Sequence, residues 1–283
     1  MSPSHARHLF SEGYSIFIDR DLSLVAAGVA FYFMLSLFPA IAAIVALWGL
    51  LSDAEQVSEQ MVLMQTILPA QIFDLLDMRV QQLVSADTGS LGFAGALTTL
   101  IAIVTARLGV AALMRALNTV YGGARRHGAR QALVAIMITF TLISLGLVAL
   151  ASVVVAPIAV ALLPLVPEAA WLVEVVRWAV AVAAMTLGLS ILYRYGPNHD
   201  GARGAWLSYG SFFAFAAWLA LSVGLSIYLS SFPRFSQIYG SIGAAVALML
   251  WLYLSALVVL LGAVLNVVAA RARNRGSFDE APT

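Results

Sequence analysis

The chain has 283 residues, of which 62% are hydrophobic and only 10% are charged, against roughly 45–50% and 25% in an ordinary globular protein. Its formal net charge is +1 and it contains no cysteine. This composition leaves little room for a separate soluble domain, and the lack of thiols excludes disulfides and cysteine nucleophiles. We therefore expect an all-α, polytopic integral membrane protein.

Six apolar stretches reach the length of about 20 residues that a helix needs to cross a bilayer. In chain order they cover about 22–51, 91–110, 132–155, 171–192, 205–229 and 238–268. A cytoplasmic segment, 1–21, is predicted before this transmembrane domain (22–270), and a cytoplasmic tail, 271–283, after it. The last stretch exceeds the thickness of the hydrocarbon layer, so we expect it to tilt or to extend into the head groups.

The amino-terminal segment and the first loop are predicted to lie on the membrane surface. Phe10, Tyr14 and Phe17 recur at helical spacing, which indicates a short interfacial helix, with a partly ordered tail as the alternative. The loop 52–90 keeps an apolar i, i+3, i+4 rhythm among acidic residues, which predicts one or two amphipathic helices on the outer surface. That loop is expected to cap the helix bundle or to bind a partner.

Several residues mark expected helix ends and breaks. Asp21 is placed to cap the start of the first spanning helix. Pro39 predicts a kink inside that helix because proline removes the backbone bond to residue 35, and Ser36 is close enough to satisfy the freed carbonyl. Gly122 predicts the stop of a basic amphipathic continuation after the second spanning helix, and Pro157 the end of the third.

The arginines are distributed unevenly between the two sides of the membrane. If the six helices alternate in direction, one side holds Arg7, Arg20, Arg115, Arg125, Arg126, Arg130, Arg194, Arg203, Arg271, Arg273 and Arg275. The other side holds only Arg79 and Arg234, while Arg107 and Arg177 lie within helices. The positive-inside rule therefore predicts that both termini are cytoplasmic.

The sequence carries none of the common motifs of an active site. The histidines at positions 5, 8, 127 and 199 lack the spacing with glutamate that marks a zinc hydrolase, and no phosphate-binding glycine loop or nucleophile elbow occurs. We predict a protein that is not an enzyme, without catalytic residues, bound metal or cofactor.

Aromatic and polar residues inside the predicted helices have two interpretations, contacts between helices or a cavity. Trp218 and Trp251 fall near the middle of their helices, where an indole N–H needs either a neighbouring hydroxyl or a hydrated cavity as its partner. Glu174 and Arg177 are three residues apart and are expected to pair on one helix face. The candidates for a cavity or kink are Tyr32, Ser36, Pro39, Trp218, Tyr239, Gly240, Trp251 and Asn266.

The arginines at the cytoplasmic helix ends form what we call the basic collar, and this collar has two interpretations. Its members are Arg115, Arg125, Arg126, Arg130, Arg194 and the tail residues Arg271, Arg273 and Arg275. It can set topology and hold the protein against anionic lipid. It can also form a pocket for a phosphate or lipid head group, because a guanidinium binds phosphate in two places. The candidate residues for that pocket are Arg107, Arg115, Asn118, Tyr121, Tyr193 and Arg194. A nucleic acid is not an expected partner, since there is no folded basic domain and no stacking platform.

Six landmarks occur in order over nearly the whole chain. They are Ala30–Pro39, Arg115–Gly122, Leu192–Pro197, Ile238–Gly243, Trp251–Tyr253 and Gly262–Asn266. Together they resemble the YihY/BrkB family of bacterial inner-membrane proteins, formerly labelled ribonuclease BN. The resemblance implies six transmembrane helices and a plasma-membrane location. Where the family usually has Gly-Ala-Glu-Leu near the end of the sixth helix, this chain has Val264 in place of the glutamate.

Three functions follow from these observations. The leading hypothesis is an inner-membrane protein that transports or binds an amphiphilic or anionic envelope substrate, such as a lipid. The alternative is a structural or assembly factor of the cell envelope that acts through residues 54–86, and a ribonuclease ranks last. Membrane lipids are the expected partners, with a second copy of the chain or an envelope protein as alternatives.

Overall fold

The computed structural model describes residues 3–51, 88–123, 129–162, 167–198, 208–230 and 234–279. Throughout these ranges the backbone forms α-helices joined by short turns, with no β-strand among the described residues. The helices are α1 (Pro3–Asp19), α2 (Leu22–Leu51), α3 (Thr88–Tyr121), α4 (Ala129–Leu162), α5 (Pro167–Tyr195), α6 (Tyr209–Ser230) and α7 (Arg234–Asp279). The all-α prediction is confirmed, and the predicted surface helices of the first loop lie outside the described residues.

Several helices are long and apolar enough to cross a membrane. Four candidate spans lie in α4, α5, α6 and α7, at Ala129–Val153, Trp171–Tyr195, Tyr209–Leu229 and Gly243–Arg273. A fifth forms if α1 and α2 act as one span, bent by 60° between residues 10–19 and 22–37. These spans confirm a polytopic membrane protein. The predicted total of six spans stays a prediction, because the search that finds four or five spans covers only the described residues.

Two helices continue beyond their predicted ends. Pro157 was expected to end the third spanning helix, but α4 runs through it to Leu162. The prediction was wrong because proline removes one backbone bond, whereas ending a helix leaves four carbonyls without intrahelical partners, which is costly in apolar surroundings. The predicted tail 271–283 is helical as far as Asp279, within a 46-residue α7. A helix of that length exceeds the bilayer thickness of about 30 Å and carries its arginines outside the hydrocarbon layer.

Other helix ends agree with the sequence. Gly122 adopts a left-handed φ of 69° directly after α3, and the Gly123 N–H donates to the Asn118 carbonyl at 3.1 Å. The predicted second helix and its basic continuation are therefore one helix that stops at this glycine. Ser208 caps the start of α6, since its Oγ accepts a hydrogen bond from the Ser211 N–H at 3.1 Å.

The break between α1 and α2 is a two-residue elbow at Arg20 and Asp21. Asp21 has a φ of 47°, a left-handed conformation that Asp and Asn tolerate better than most residues. Its N–H donates to the Ile18 carbonyl and its own carbonyl accepts from Val25, both at 3.0 Å. Asp21 therefore does begin α2, through its backbone carbonyl.

Pro39 lies inside α2, which continues unbroken to Leu51, so the kink stays a prediction. The nearby Ser36 hydroxyl donates to the Phe33 carbonyl at 2.8 Å. It does not satisfy the carbonyl of residue 35, as the sequence suggested, because a serine hydroxyl in a helix reaches the carbonyls three and four residues before it.

The chain divides into two compact units. The first comprises Met1–Val29, Val110–Ser231 and Trp251–Thr283, and the second Ala30–Gly109 and Phe232–Leu250. In the second unit, α2 and α3 touch where Gly109 faces the ring of Phe33, because a Cβ at Gly109 would lie 3.2 Å from that ring. Among the described residues, the largest fully buried side chains lie in the first unit and include Leu22, Met114, Leu117, Val120, Ser211 and Leu260.

Candidate functional site

Four of the predicted site residues meet in the first unit. The ends of α3 and α5, the start of α6 and the last third of α7 converge there on a hydrogen-bonded cluster that we call the polar junction. Its members are Asn118, Tyr121, Tyr193, Asn198, Gly210 and Asn266. The landmarks Arg115–Gly122, Leu192–Pro197 and Gly262–Asn266 thus come together in space.

Asn118 fastens the end of α3 to the turn after α5. Its side chain is 6% exposed, and its Oδ1 accepts a hydrogen bond from the Asn198 N–H at 2.5 Å. The backbones at Gly123 and Asn198 are also in close contact, since a Cβ at Gly123 would lie 2.2 Å from the Asn198 carbonyl oxygen. Asn118 therefore performs a structural task and its carbonyl oxygen is already occupied.

Asn266 joins three helices. Its Oδ1 accepts from the Gly210 N–H at the start of α6 at 2.8 Å, and its side chain also hydrogen-bonds with Tyr121 of α3. Tyr121 lies beyond the predicted spanning part of its helix. Burial raises the pKa of Tyr121, and the bond to Asn266 offsets only part of that rise.

The backbones of α6 and α7 cross in direct contact at two glycines. A Cβ at Gly262 would lie 2.6 Å from the Gly210 carbonyl oxygen and 2.4 Å from the Tyr193 hydroxyl. A Cβ at Gly210 would lie 2.0 Å from the Gly262 carbonyl oxygen. The Tyr193 hydroxyl donates to the Val259 carbonyl at 2.7 Å. Small residues permit such close helix crossings in membranes, and this one leaves no space for a ligand.

Two arginines hold α1 against the rest of the first unit. The Arg20 guanidinium donates to the carbonyls of Thr119 and Val120, the latter at 2.9 Å, so it caps the carboxyl end of α3. Arg271 of α7 forms an ion pair with Glu12 of α1 at 2.9 Å.

The other candidates for a head-group pocket are Arg107, Arg115 and Arg194. Arg115 is exposed on α3, and the Arg194 guanidinium carbon lies 5.9 Å from the centre of the Tyr195 ring. Arg107 is half-buried on α3 in the second unit. Their proposed role in binding a head group stays a prediction.

The second unit contains five of the predicted cavity or kink residues, which are Ser36 and Pro39, described above, and Tyr32, Tyr239 and Gly240. Tyr32 of α2 contacts Phe31 edge to face, with ring centres 5.8 Å apart. Tyr239 and Gly240 lie in helical backbone near the start of α7, and their side chains are outside the described part. None of these observations tests a cavity.

The two mid-helix tryptophans have hydroxyl partners. Trp218 Nε1 of α6 donates to Ser255 of α7 at 3.1 Å, and Trp251 Nε1 of α7 donates to Ser222 of α6 at 3.2 Å. The two indole rings lie 5.9 Å apart. Of the two alternatives, a neighbouring hydroxyl or a hydrated cavity, the structure has the first, and the pairs clasp α6 to α7.

Glu174 and Arg177 form the ion pair that their spacing predicts. Trp178 joins it, since its Nε1 donates to the same Glu174 oxygen at 2.8 Å. On the neighbouring helix α4, Ser152 donates to the Arg177 carbonyl at 2.6 Å. The cluster therefore stabilises the α4–α5 pair.

An open groove lies at the elbow between α1 and α2. It has a volume of about 520 Å³, within the range of roughly 300–1,000 Å³ for small-molecule sites. We call it the elbow groove, and it is lined by Phe17, Ile18, Asp21, Leu22, Ser23, Leu24, Ala27 and Tyr253. The hydroxyls of Ser23 and Tyr253 hydrogen-bond across it at 2.8 Å.

α1 is amphipathic in a way that fits a membrane surface. Phe10, Tyr14 and Ile18 recur every four residues and are exposed, Phe10 by 78%. Another face packs on α7, where a Cβ at Gly13 would lie 3.6 Å from Val264. An exposed apolar stripe on a helix already fixed to a bundle is suited to the boundary between head groups and acyl chains.

Sequence reasoning missed Arg20, the Gly210–Gly262 crossing and the elbow groove. Arg20 was counted only for topology, although its place in a short break between two helices could have marked it as a helix-capping residue. Tyr253 lies in the landmark Trp251–Tyr253, but its pairing with Ser23 joins residues 230 positions apart and leaves no local signal. In the described part of the chain, no three His, Asp or Glu side chains are grouped to hold a metal ion.

Comparison with known families settles the class of protein. The profile of the family described as virulence factor BrkB matches residues 14–282, which include all the elements of the polar junction and the elbow groove. The chain belongs to the BrkB family. This result agrees with the resemblance carried by the six landmarks.

Several relatives of this BrkB-family chain are known as membrane proteins. The UPF0761 membrane protein azo3165 of Azoarcus sp. is 30% identical over 257 residues, which cover 86% of this chain and 58% of that protein. A UPF0761 membrane protein of Delftia acidovorans is 39% identical over 84 residues, or 29% of this chain and 20% of that one. The ribonuclease-like protein YfkH of Bacillus subtilis is 34% identical over 93 residues, or 33% of this chain and 34% of that protein. No solved structure matches the chain.

Proposed function

We propose that this BrkB-family protein binds an amphiphilic envelope molecule of the phospholipid type in the bacterial inner membrane and catalyses no reaction. The observation that carries the proposal is the elbow groove, which opens where an amphipathic helix turns into an apolar one. A helix of the first kind lies at the head-group boundary and one of the second kind enters the hydrocarbon layer. The groove is thus suited to a molecule that has both a polar and an apolar end.

The polar junction supports an amphiphile over a small anion. Asn118, Tyr193 and Asn266 came from the sequence as candidate site residues, but their polar atoms bond to backbone groups of neighbouring helices. Arg20 is likewise engaged with the end of α3. An anion would have to displace these bonds, and a buried group that loses its partner costs about 1–3 kcal/mol.

The proposed orientation places both termini and the polar junction on the cytoplasmic side. It rests on the distribution of arginines along the chain. In this orientation the elbow groove faces the cytoplasmic leaflet. Transport of the bound molecule between leaflets is the further step that the leading hypothesis includes.

Filling the groove tests the proposed function. Ala27 lines it and is exposed, so Ala27→Phe places a ring in the groove, while Ala220→Phe on the exposed face of α6 is the matched control. Lipids retained after gentle extraction are counted by native mass spectrometry, and movement between leaflets is measured with labelled phospholipids in proteoliposomes. We expect Ala27→Phe to lower retention about tenfold, the equivalent of about 1.4 kcal/mol, with any transport falling in parallel. Equal retention by the two variants would contradict the proposal.

An assembly factor is the second candidate. The observation in its favour is α6, whose candidate span is the least buried of those described and exposes Phe212, Val223 and Ile227. Such a face can contact lipid or another protein. This function predicts a stoichiometric protein partner that survives extraction and is lost on Val223→Arg.

A ribonuclease activity is suggested by the former label of the family and by the name of the Bacillus relative. It predicts RNA cleavage by the purified protein that a single substitution abolishes. We expect no cleavage above that of a mock preparation from cells lacking the gene.

A further inference from the structure

The charge that lines the elbow groove comes from a single one of the described residues. Asp21 is exposed and lines the groove, and it is the one charged side chain among the described residues that do so. Arg20, its neighbour in the chain, directs its guanidinium to the carbonyls at the end of α3. The charge lining the groove is therefore negative.

The polar and apolar parts of the lining are arranged for a molecule with a compact polar end. Asp21 and the hydroxyl pair of Ser23 and Tyr253 supply one carboxylate and two hydroxyl groups. Ile18 and Leu24 supply apolar walls and are themselves exposed, Leu24 by 74%. A volume of about 520 Å³ accommodates a head group and the first part of an acyl chain, with the rest of the chain in the bilayer.

We infer that the elbow groove binds a phospholipid with an amine head group, whose ammonium pairs with Asp21 while one hydroxyl of the Ser23–Tyr253 pair, the one that accepts within the pair, donates to its phosphate or ester oxygens. This inference rests on the proposed function and gives its substrate class. An ammonium is attracted to a carboxylate at the membrane surface, and a hydrogen bond to a charged group is stronger than one between neutral groups. An anionic lipid such as phosphatidylglycerol would bring a second negative charge to Asp21 and is disfavoured.

Asp21→Asn removes the charge and keeps the backbone. Asn adopts the left-handed conformation at least as readily as Asp, so the φ of 47° is retained and the elbow still folds. Asp19→Asn is the matched control, because it removes the same charge two residues away, from a residue that does not line the groove. The Asp19 carboxylate instead accepts a hydrogen bond from Ser15 on α1 at 2.8 Å. Tyr253→Phe tests the hydroxyl pair separately.

The experiment uses the full chain in nanodiscs that contain equal amounts of phosphatidylethanolamine and phosphatidylglycerol with identical acyl chains. Lipids that remain bound after release from the disc are identified by native mass spectrometry. We expect the wild type and Asp19→Asn to retain phosphatidylethanolamine preferentially, and Asp21→Asn to lower that preference about tenfold. Tyr253→Phe is expected to weaken retention about threefold.

The outcomes separate this inference from the proposed function. Preferential retention of phosphatidylglycerol, or a preference for phosphatidylethanolamine that Asp21→Asn leaves unchanged, would overturn the head-group assignment and leave lipid binding intact. Retention of no lipid by the wild type would overturn both. Binding of soluble glycerophosphoethanolamine as tightly as the lipid would overturn the claim that a phospholipid is the occupant.

Discussion

The polar junction and the elbow groove lie in the same compact unit, and α7 contributes to both, but their polar groups have different surroundings. In the polar junction, side-chain oxygens such as that of Asn118 accept from backbone N–H groups, and the glycines of α6 and α7 bring backbones into contact. In the elbow groove, Asp21 forms the turn between α1 and α2 in a left-handed conformation. A carboxylate, hydroxyl groups and apolar side chains line the open volume beside this turn. The first region is closed and structural, whereas the second has room for a ligand.

The difference shows why residues that stand out in a sequence need not bind a ligand. A polar side chain inside a membrane protein must find a partner, and a helix end supplies free N–H and carbonyl groups at short range. Where two helix ends meet, as at Asn118 and Asn198, the partners are internal. Substitutions at the polar junction should therefore change stability, and substitutions in the groove should change the bound lipid.

The largest effect on stability is expected from Gly262→Ala. The added methyl would lie 2.6 Å from the Gly210 carbonyl oxygen and 2.4 Å from the Tyr193 hydroxyl, so α6 and α7 would have to separate at a cost of about 3 kcal/mol. Gly224→Ala on α6 is the control, because nothing lies within 4 Å of its Cβ position. That change should be neutral or stabilise by up to about 1 kcal/mol. Thermal unfolding in detergent measures both, and equal melting temperatures would contradict the close crossing.

A smaller loss is expected from Arg20→Met, which keeps most of the side-chain length and removes the donors to the Thr119 and Val120 carbonyls. Because this contact is partly exposed, we expect a cost of about 1.5 kcal/mol, at the lower end for bonds to a charged group. The matched substitution Arg273→Met, at an exposed position of α7, should cost less than about 0.5 kcal/mol. Hydrogen exchange in residues 115–121 should rise in the first variant alone. Unchanged exchange there would show that Arg20 does not cap α3.

Ser255→Ala tests the clasp between α6 and α7. It removes the acceptor of the Trp218 N–H, and we expect a loss of roughly 0.6 kcal/mol, the average for hydrogen bonds between membrane helices. Ser226→Ala, at an exposed position of α6, is the control. A red shift of tryptophan fluorescence in Ser255→Ala would indicate that water replaces the hydroxyl, while identical spectra and stabilities for both variants would argue against the clasp.

The smallest effect concerns Tyr121 at high pH. Burial raises the pKa of Tyr121 in the folded protein, so the unfolded chain loses this proton first as the pH rises past about 10. The stability that the neutral tyrosine contributes is fully present below that pH and is lost as the pH rises through the folded pKa. Tyr121→Phe should therefore reduce the fall in melting temperature between pH 9 and 11. An unchanged slope would contradict the burial of this hydroxyl.

Much of the fold could be predicted from the sequence because apolar length and glycine stops act locally. The limits of α2 and the stop at Gly122 follow from such signals. The predicted helix end at Pro157 was wrong, since α4 continues to Leu162. The free energy lost with one backbone hydrogen bond is smaller than the cost of ending a helix in apolar surroundings, and the sequence does not show those surroundings. Four residues of the polar junction could be named from the sequence, but not the hydrogen bonds between them. Those bonds join helices that are far apart in the sequence.

The elbow groove could not be predicted because it depends on one backbone angle and one distant contact. The left-handed conformation of Asp21 sets the 60° bend, and Tyr253 reaches Ser23 from the last helix. Neither feature has a period or a spacing that marks it. The interfacial helix beside the groove, in contrast, is visible in the spacing of Phe10 and Tyr14.

The most direct test of a ligand in the groove and a closed polar junction is native mass spectrometry of the gently extracted protein. The wild type would be compared with Ala27→Phe in the groove and with Arg115→Ala and Arg194→Ala in the basic collar. We predict that a phospholipid bound to the wild type is lost in Ala27→Phe and retained in both arginine variants. Loss of the lipid in either arginine variant, with retention in Ala27→Phe, would place the binding site at the collar and contradict this account.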